Sequence, residues 1–430
     1  MHNVKNNSAS ALASQLSIDA VTMTVGADVF PLAPFYLTIV DGAGSSLEVV
    51  EVTGKNALDF TVVRAYEGTN QTHPAGRAVE LRMMAQHIIE LQDAAAVVRP
   101  AGNWVTDTKN LREANASGKK VVLAAGTFYL EGDGTEIIKK QNMARWDGAG
   151  LSESILKIRS TVPLTRDVFR CIPPQVDEIG YRNRGLQLSN FAIVPETYTT
   201  RCARHAIHLD LNDAASWFTS QFDIHHLHLD YTGGRSFYAS NTETDGYFCG
   251  GLEKCLIWSG VQMIGAGDSL YFEKNTIAGE NIGIEITQVG GANVVSIANN
   301  NITARGGAMK LNTDRVKILD NNIEIYANGG TAPATEPAAI IHITGYVWGT
   351  TTNARIEGNT VLNILGTSAA ACKIENCNLA KISNNRFHGG SGGAQDFIIA
   401  ASCTATCIYP DNQFYNSRVT NSGTGTVYVS

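Results

Sequence analysis

The chain has 430 residues, 44% hydrophobic and 17% charged, with 41 glycines and 11 prolines, so it is large, weakly charged and rich in turns, with room for a main domain and a smaller one. Its net charge of −7 argues against a nucleic-acid partner, which requires concentrated Lys and Arg. No apolar run approaches the length of a membrane span, and the N-terminus lacks the basic stretch and apolar core of a secretory leader.

In chain order, residues 1–80 alternate apolar runs with turns: "FYLTIV", "DGAGSS", "LEVVEV", "TGKNA", "LDFTVV", then "AYEGTNQTHPAGRAVEL". That alternation predicts a compact β domain. Leu81, Met84, Ile88, Leu91, Ala95 and Val98 follow at spacings of 3, 4, 3, 4 and 3, the seam of a coiled coil. The seam covers about two heptads, so a helix packed on its own domain is the alternative reading of the linker at 81–99. After Asn103, "WVTDTKNLREANASGKKVVLAAGTFYLEG" predicts a helix, a strand, a Gly-Thr-aromatic turn and a second strand. Such a helix caps the first coil of a solenoid, covering its apolar core and unpaired strand edges.

The remainder is periodic. An apolar-x-x-Asn-x-apolar frame occurs at Phe272/Asn275/Ile277, Ile297/Asn300/Ile302, Ile318/Asn321/Ile323, Ile356/Asn359/Val361, Ile382/Asn385/Phe387 and Tyr409/Asn412/Phe414. Upstream the frame persists with another residue in the Asn place: Leu188/Phe191/Ile193, Ile224/Leu227/Leu229 and Leu252/Cys255/Ile257. Successive frames are 36, 28, 20, 25, 21, 38, 26 and 27 residues apart, which suits coils of a parallel β-helix with two inserted loops. Coils stack about 4.8 Å apart, and an Asn repeated at one corner is expected to adopt the left-handed turn conformation and to hydrogen-bond its copies. Leucine-rich repeats need a denser leucine consensus, and armadillo-like repeats need helical periodicity. The predicted fold is therefore all-β: a small β domain (1–80), a short helical linker (81–99), a right-handed parallel β-helix with a helical cap (100–415) and a C-terminal tail (416–430). The eight cysteines form no CxxC pair and are expected as buried free thiols.

The segment "DTKNLREANASGKKVVLAAGTFYL" resembles the opening of pectate-lyase-like β-helix proteins, including many bacteriophage tailspikes. "LEVVEVTG" followed by "FTVVRAYEGTNQTHPAGRAVEL" resembles a small β domain found at the N-terminus of phage tail fibre and tailspike proteins. The order of the two is the specific part. This resemblance implies a homotrimer joined partly through the seam at 81–98, assembled in the host cytoplasm and held in the virion by tail or baseplate proteins that bind residues 1–80. It also implies recognition and depolymerisation of a bacterial surface polysaccharide (capsule, O-antigen or exopolysaccharide) by hydrolase or lyase chemistry, without a cofactor. The alternative is a non-enzymatic structural or receptor-binding tail protein. "RVTNSGTGTVYVS" is short for the C-terminal trimerisation or carbohydrate-binding domain that many tailspikes carry.

Aligning the frames predicts which side chains share an outer column. The position after the leading apolar residue carries His225, Glu253 and Glu273 on consecutive coils; the position before it carries Asp223, Gly251 and Tyr271; the sixth position carries Asp230 and Trp258. Glu253 and Glu273 are the first catalytic pair, because stacked carboxylates about 5 Å apart match the separation of retaining glycosidases. Mutual repulsion would raise one of their pKa values and keep a general acid protonated. Trp258 and Tyr271 would offer faces to sugar rings, and Asp230, Asp223 and His225 would meet hydroxyls. Both glutamates precede a lysine, so a surface ion-pair ladder is the competing reading. Asp245, Asp268 and Glu285 are the remaining candidate acids. "HHLHL" at 225–229 reads as surface histidines rather than a metal site, and Arg204 with Asp210 and Asp213 lacks the spacing of a calcium-dependent lyase.

Overall fold

The computed structural model describes residues 8–41, 43, 45–81, 95–132, 138–141, 145–172, 182–198, 200–210, 218–230, 233–241, 246–279, 282–288, 294–325, 339–345, 351–363, 369–390, 394–416 and 418–429. The chain divides into two compact units, Met1–Ala95 and Ala96–Ser430.

The first unit is an antiparallel sheet of β1 (Ala9–Ala11), β2 (Thr22–Thr24), β3 (Phe35–Val40), β4 (Ser46–Asn56), β5 (Asp59–Gly68) and β6 (Ala78–Glu80), in the order β1-β6-β3-β4-β5-β2. β3 is buried along its whole length, Thr38 included, as a strand apolar at its other five positions requires. Phe30, Phe35 and Phe60 meet with ring centroids 5.8 to 6.0 Å apart. The "RAYEGTNQTH" stretch closes on one buried carboxylate, Glu48 of β4. Arg64 grips it with Nε and Nη2 at 2.7 and 2.8 Å, the Ala65 N–H donates at 2.8 Å, and His73 Nε2 lies at 2.8 Å. Burial alone would raise the Glu48 pKa; these partners outweigh it and hold it below the usual range.

β7 (Ala95–Val98) begins at the last residue of the first unit and leads into the second, where α1 (Trp104–Ala116) follows. Asn103 caps α1 by accepting from the Thr106 N–H at 2.8 Å. Asp107, fully buried, accepts from Ala101 N–H at 2.6 Å and Tyr129 N–H at 3.1 Å, which ties α1 to the strand Gly126–Leu130, while Leu111 and Ala114 enter the core. Three of the predicted seam residues are described, and they do not form a helix. Leu81 packs against the core of the first unit, Ala95 begins β7, and Val98 is buried in the interior of the second. Met84, Ile88 and Leu91 lie outside the described residues.

The regular coils of the right-handed parallel β-helix have three strands, while in earlier coils one long strand such as Arg182–Pro195 or Phe218–Leu229 runs through the corner and takes the place of two. Ile284–Thr287, Val294–Ala298 and Asn301–Ala304 lead into Met309–Asn312, Arg315–Leu319 and Asn322–Ile325, and each strand pairs in parallel with its counterpart. The first strands build an 11-stranded sheet and the other two a 22-stranded one. The frame residues stack inward without slip: Leu188, Ile224, Leu252, Phe272, Ile297, Ile318, Ile356 and Ile382 are all fully buried.

The corner works differently from the expectation. The left-handed residue is the one before the Asn position: His226, Lys254, Lys274, Asn299, Asp320 and Asn384 have φ between 53° and 57°. That turn aims the next side chain into the interior. Asn275, Asn300, Asn321, Asn359 and Asn385 are at most 2% exposed and form a ladder, each Nδ2 donating to the Oδ1 of the next Asn at 2.9 to 3.0 Å, ending on Asn412. Each Oδ1 also accepts a backbone N–H from the preceding coil. Each Nδ2 donates a second time, to a carbonyl of that coil's leading apolar residue. In the last coil Ile408, not Tyr409, takes the inward place, and Tyr409 turns out under the Lys381 ammonium, 5.0 Å from its ring centroid. Residues 416–430 are not a separate tail. Val419–Asn421 and Val427–Tyr428 pair with the coil before them, because the register simply continues. Six cysteines are buried and two half-buried, all as free thiols; burial pushes Cys255 up to about 12.

Asn321→Ala removes the acceptor of two buried Asn300 donors and should cost roughly 2–5 kcal/mol, whereas Asn412, which accepts the same two donors from Asn385, is half-buried, so water can replace it and Asn412→Ala should cost about 1 kcal/mol. Thermal unfolding of the two variants at one scan rate checks the order. Glu48→Gln leaves the Arg64 guanidinium, 7% exposed, facing no charge and should destabilise the first unit by about 3–5 kcal/mol. Limited proteolysis should then cut within residues 1–80 while the β-helix stays intact.

Candidate functional site

Two polar constellations stand on the outer faces of the central coils. The first lies on the 22-stranded sheet, where strands Phe218–Leu229, Gly246–Glu253 and Ala266–Glu273 run side by side. Register places His225, Glu253 and Glu273 in one outward column and Asp223, Gly251 and Tyr271 in the next. Tyr271 reaches across two coils, its Oη donating to Asp223 Oδ1 at 3.4 Å. A Cβ on Gly251 would lie 1.9 Å from the Tyr271 carbonyl and 2.6 Å from its ring, so only glycine lets the ring lie there. Burial and the Asp223 carboxylate push the Tyr271 phenol up to about 12, so it stays a neutral donor.

Glu253 and Glu273 are strand neighbours, but their charges are not left to repel each other. Lys254 Nζ at 3.0 Å and Lys274 Nζ at 3.3 Å flank Glu253 and hold its carboxyl below the ordinary value, the reverse of the shift expected for a general acid there. The sequence-level ion-pair ladder is thus present around Glu253. Asp268 is exposed on the same strand as Glu273, at a bulge where Gly267 and Leu270 oppose Phe248 and Gly250. The left-handed corner at Lys254 separates Trp258 from Tyr271, so the two rings do not share a face. Asp230 is 3% exposed and lies 3.7 Å from His228. His225 Nδ1 is 3.0 Å from His226 Nδ1. Glu285 belongs to the other sheet, fixed by Arg235 at 2.8 Å, Gln262 at 3.0 Å and Lys310 at 3.4 Å. Asp245 and Asp213 lie outside the described residues.

The sequence reading touched the second constellation only at Arg204 and Asp210 and missed the rest. It sits on the 11-stranded sheet, where Phe169–Ile172, Ile207–Asp210 and Phe237–Ser240 are consecutive. Alternation sends Ile207, Leu209, Phe237 and Ala239 inward, leaving Arg170, His208, Asp210, Tyr238 and Ser240 on the outer face. Asp167 accepts from Arg204 Nε at 2.9 Å and Nη2 at 2.5 Å, and from His208 Nδ1 at 2.8 Å. His208 Nε2 faces Ser240 Oγ at 3.0 Å. Arg170 Nη2 donates to Asp210 Oδ2 at 2.6 Å. The His205 ring stacks on Tyr238 at 4.4 Å and its Nδ1 accepts from the Arg235 N–H, so burial lowers its pKa to about 3 and keeps it neutral. Burial raises the Tyr238 phenol and would raise Asp167, but the Arg204 and His208 hydrogen bonds bring Asp167 down to about 2. Among the described residues, no group of three His, Cys, Asp or Glu side chains is placed to hold a metal ion.

Because the folded Asp167 titrates near 2 and an unfolded aspartate near 3.8, its ionisation favours the fold at every pH above about 4. That contribution, roughly 2 kcal/mol, fades as the pH falls from about 4 to 2. The stability gap between the native chain and Asp167→Asn, measured by denaturant unfolding, should therefore be wide at neutral pH and narrow near pH 2.

No protein-family model matches the sequence, and no curated protein does. Among solved structures, the chain is similar to tailspike protein 3 of bacteriophage CBA120, with 12% identity, 89% of this chain and 66% of that chain covered, and a TM-score of 0.48. It is also similar to the A-module of a mannuronan C-5 epimerase from Azotobacter vinelandii, with 12% identity, 77% and 88% covered, and a TM-score of 0.44. The catalytic domain of a GH87 alpha-1,3-glucanase matches at 11% identity over 96% of this chain and 92% of that one, with a TM-score of 0.35. At these identities the likeness is one of fold.

Proposed function

We propose that the chain is a bacteriophage tail protein that recognises and depolymerises a bacterial surface polysaccharide along the outer face of its central coils. The observation that carries this reading is the Tyr271 platform: a neutral phenol ring anchored on Asp223, laid over Gly251 and bordered by the strand-paired carboxylates Glu253 and Glu273. An aromatic face flanked by hydrogen-bonding carboxylates on a stiff sheet suits a sugar ring, whose faces are apolar and whose rim is polar. The β-helix preceded by a small β domain, and the sequence likeness of both to tailspikes, support the same reading.

Glu253 is held ionised by its lysines, which suits a nucleophile or base, and Glu273 is its partner in the proposed pair. The competing, non-enzymatic reading draws on the same lysines, since an ion-paired Glu253 is also what a plain surface ladder looks like. Chain length separates the two. Incubated with capsule or O-antigen from the host, the protein should shorten the polymer on size-exclusion chromatography, and Glu253→Gln or Glu273→Gln should slow this by about 10²-fold or more with binding retained. Binding without any shortening by the unmodified protein would leave a receptor-binding shaft.

The assembly proposed is a homotrimer with Met84, Ile88 and Leu91 at its junction and with residues 1–80 as the attachment to the tail. Light scattering should give three times the 46.1 kDa chain mass. Ile88→Asp with Leu91→Asp should lower it, because each buries a carboxylate among apolar side chains.

A further inference from the structure

The hydrogen-bond chain Asp167–His208–Ser240 has no part in the depolymerisation just proposed. Its members come from three coils and converge at 2.8 and 3.0 Å, with Asp167 fully buried and the other two each 4% exposed. Protonation follows from the partners. The ionised Asp167 can only accept, so a neutral His208 carries its proton on Nδ1 and turns the Nε2 lone pair to the Ser240 hydroxyl. A nucleophile, a base within hydrogen-bond reach and a carboxylate that fixes the base's tautomer are the three parts of an acyl-transfer site. Arg170 is the neighbour of His208 on the preceding coil and is held by Asp210, itself the strand neighbour of Ser240. It brings a guanidinium to the same outer face.

We propose that Ser240, His208 and Asp167 form an ester-hydrolysing site whose substrate is a small O-acyl ester. On a surface that carries polysaccharide, such an ester is an O-acyl substituent of the sugar; that choice of substrate rests on the function proposed above, and the site itself does not. Ser240 Oγ attacks the acyl carbonyl while its proton passes to His208 Nε2. The bond from the acyl carbon to the alcohol oxygen then breaks, and the departing alkoxide takes the proton from Nε2. Water next gives a proton to Nε2 and attacks the acyl-serine, releasing the carboxylic acid and restoring Ser240. No redox partner or metal is needed.

The full chain is tested with p-nitrophenyl acetate and, separately, for acetate released from an O-acetylated bacterial polysaccharide. The unmodified protein should hydrolyse the aryl ester, and Ser240→Ala or His208→Asn should reduce the rate by about 10³-fold or more. A fluorophosphonate should label Ser240, as located by peptide mass spectrometry, which needs no variant to fold. Hydrolysis no faster than the heat-inactivated protein, undiminished hydrolysis by Ser240→Ala, or labelling at a different residue would each overturn the proposal. Ester cleavage is read as released acid and depolymerisation as lost chain length, so either can fail while the other stands.

Discussion

The rest of the molecule depends on how each coil turns its corner without leaving a buried polar group unsatisfied. A left-handed residue bends the chain there and points the next side chain inward, where backbone N–H and C=O groups would otherwise face an apolar core. Asparagine answers this with one acceptor and two donors. Its Oδ1 serves two donors of the preceding coil, and its Nδ2 reaches both a carbonyl of that coil and the Asn of the next. Every rung therefore depends on the rung above and below, and a one-residue slip would break the ladder and turn the apolar stack outward at once. Register is fixed by both.

Fixed register is what makes an outer surface out of separate coils. Once Leu252 lies over Phe272, Glu253 lies over Glu273; once Ile207 lies over Phe237, Asp210 lies over Ser240. The second constellation stands on coils that precede the ladder, where Leu227 and Cys255 fill the corner with apolar bulk instead, and the first ends on the ladder's opening rung, since Tyr271 and Glu273 share a coil with Asn275. The two sheets treat charge differently. On the 22-stranded face, lysines meet Glu253 in solvent, where screening makes each pair worth little. On the 11-stranded face, guanidinium groups meet Asp167 and Asp210 under cover, and a fork of two hydrogen bonds fixes position as well as charge.

Much of the β-helix was legible because inward residues repeat in type as well as in place. The outward and corner positions repeat only in place. The left-handed position is filled by His226, Lys254, Lys274, Asn299, Asp320 and Asn384, so no residue type announces it, and the conspicuous asparagine next to it drew the assignment. The same reason hid Asp167, His208 and Ser240, which are 41 and 32 residues apart and share no pattern. Glu253 and Glu273 could be aligned because they follow frame residues directly. Their lysines were visible too, but which ammonium reaches which carboxylate depends on a corner that sequence spacing does not describe. At 95–98 the spacing misled, since Ala95 and Val98 would share one face of a helix but lie on opposite faces of the strand they form.

The first unit carries a related lesson. What makes "RAYEGTNQTHPAG" recognisable is the grip of Arg64 and His73 on buried Glu48, together with the left-handed Ala65 and with Gly68, where a Cβ would press to 2.8 Å on the Leu47 carbonyl. Arg64 also donates to the carbonyls of Ser17 and Gln71, so one guanidinium ties the loop after β5 to the segment before β2. These residues hold the domain's shape and face inward. The motif therefore identifies a kind of domain and says nothing of its partner. Val21, Leu32 and Val63, by contrast, are exposed and take no part in holding that shape.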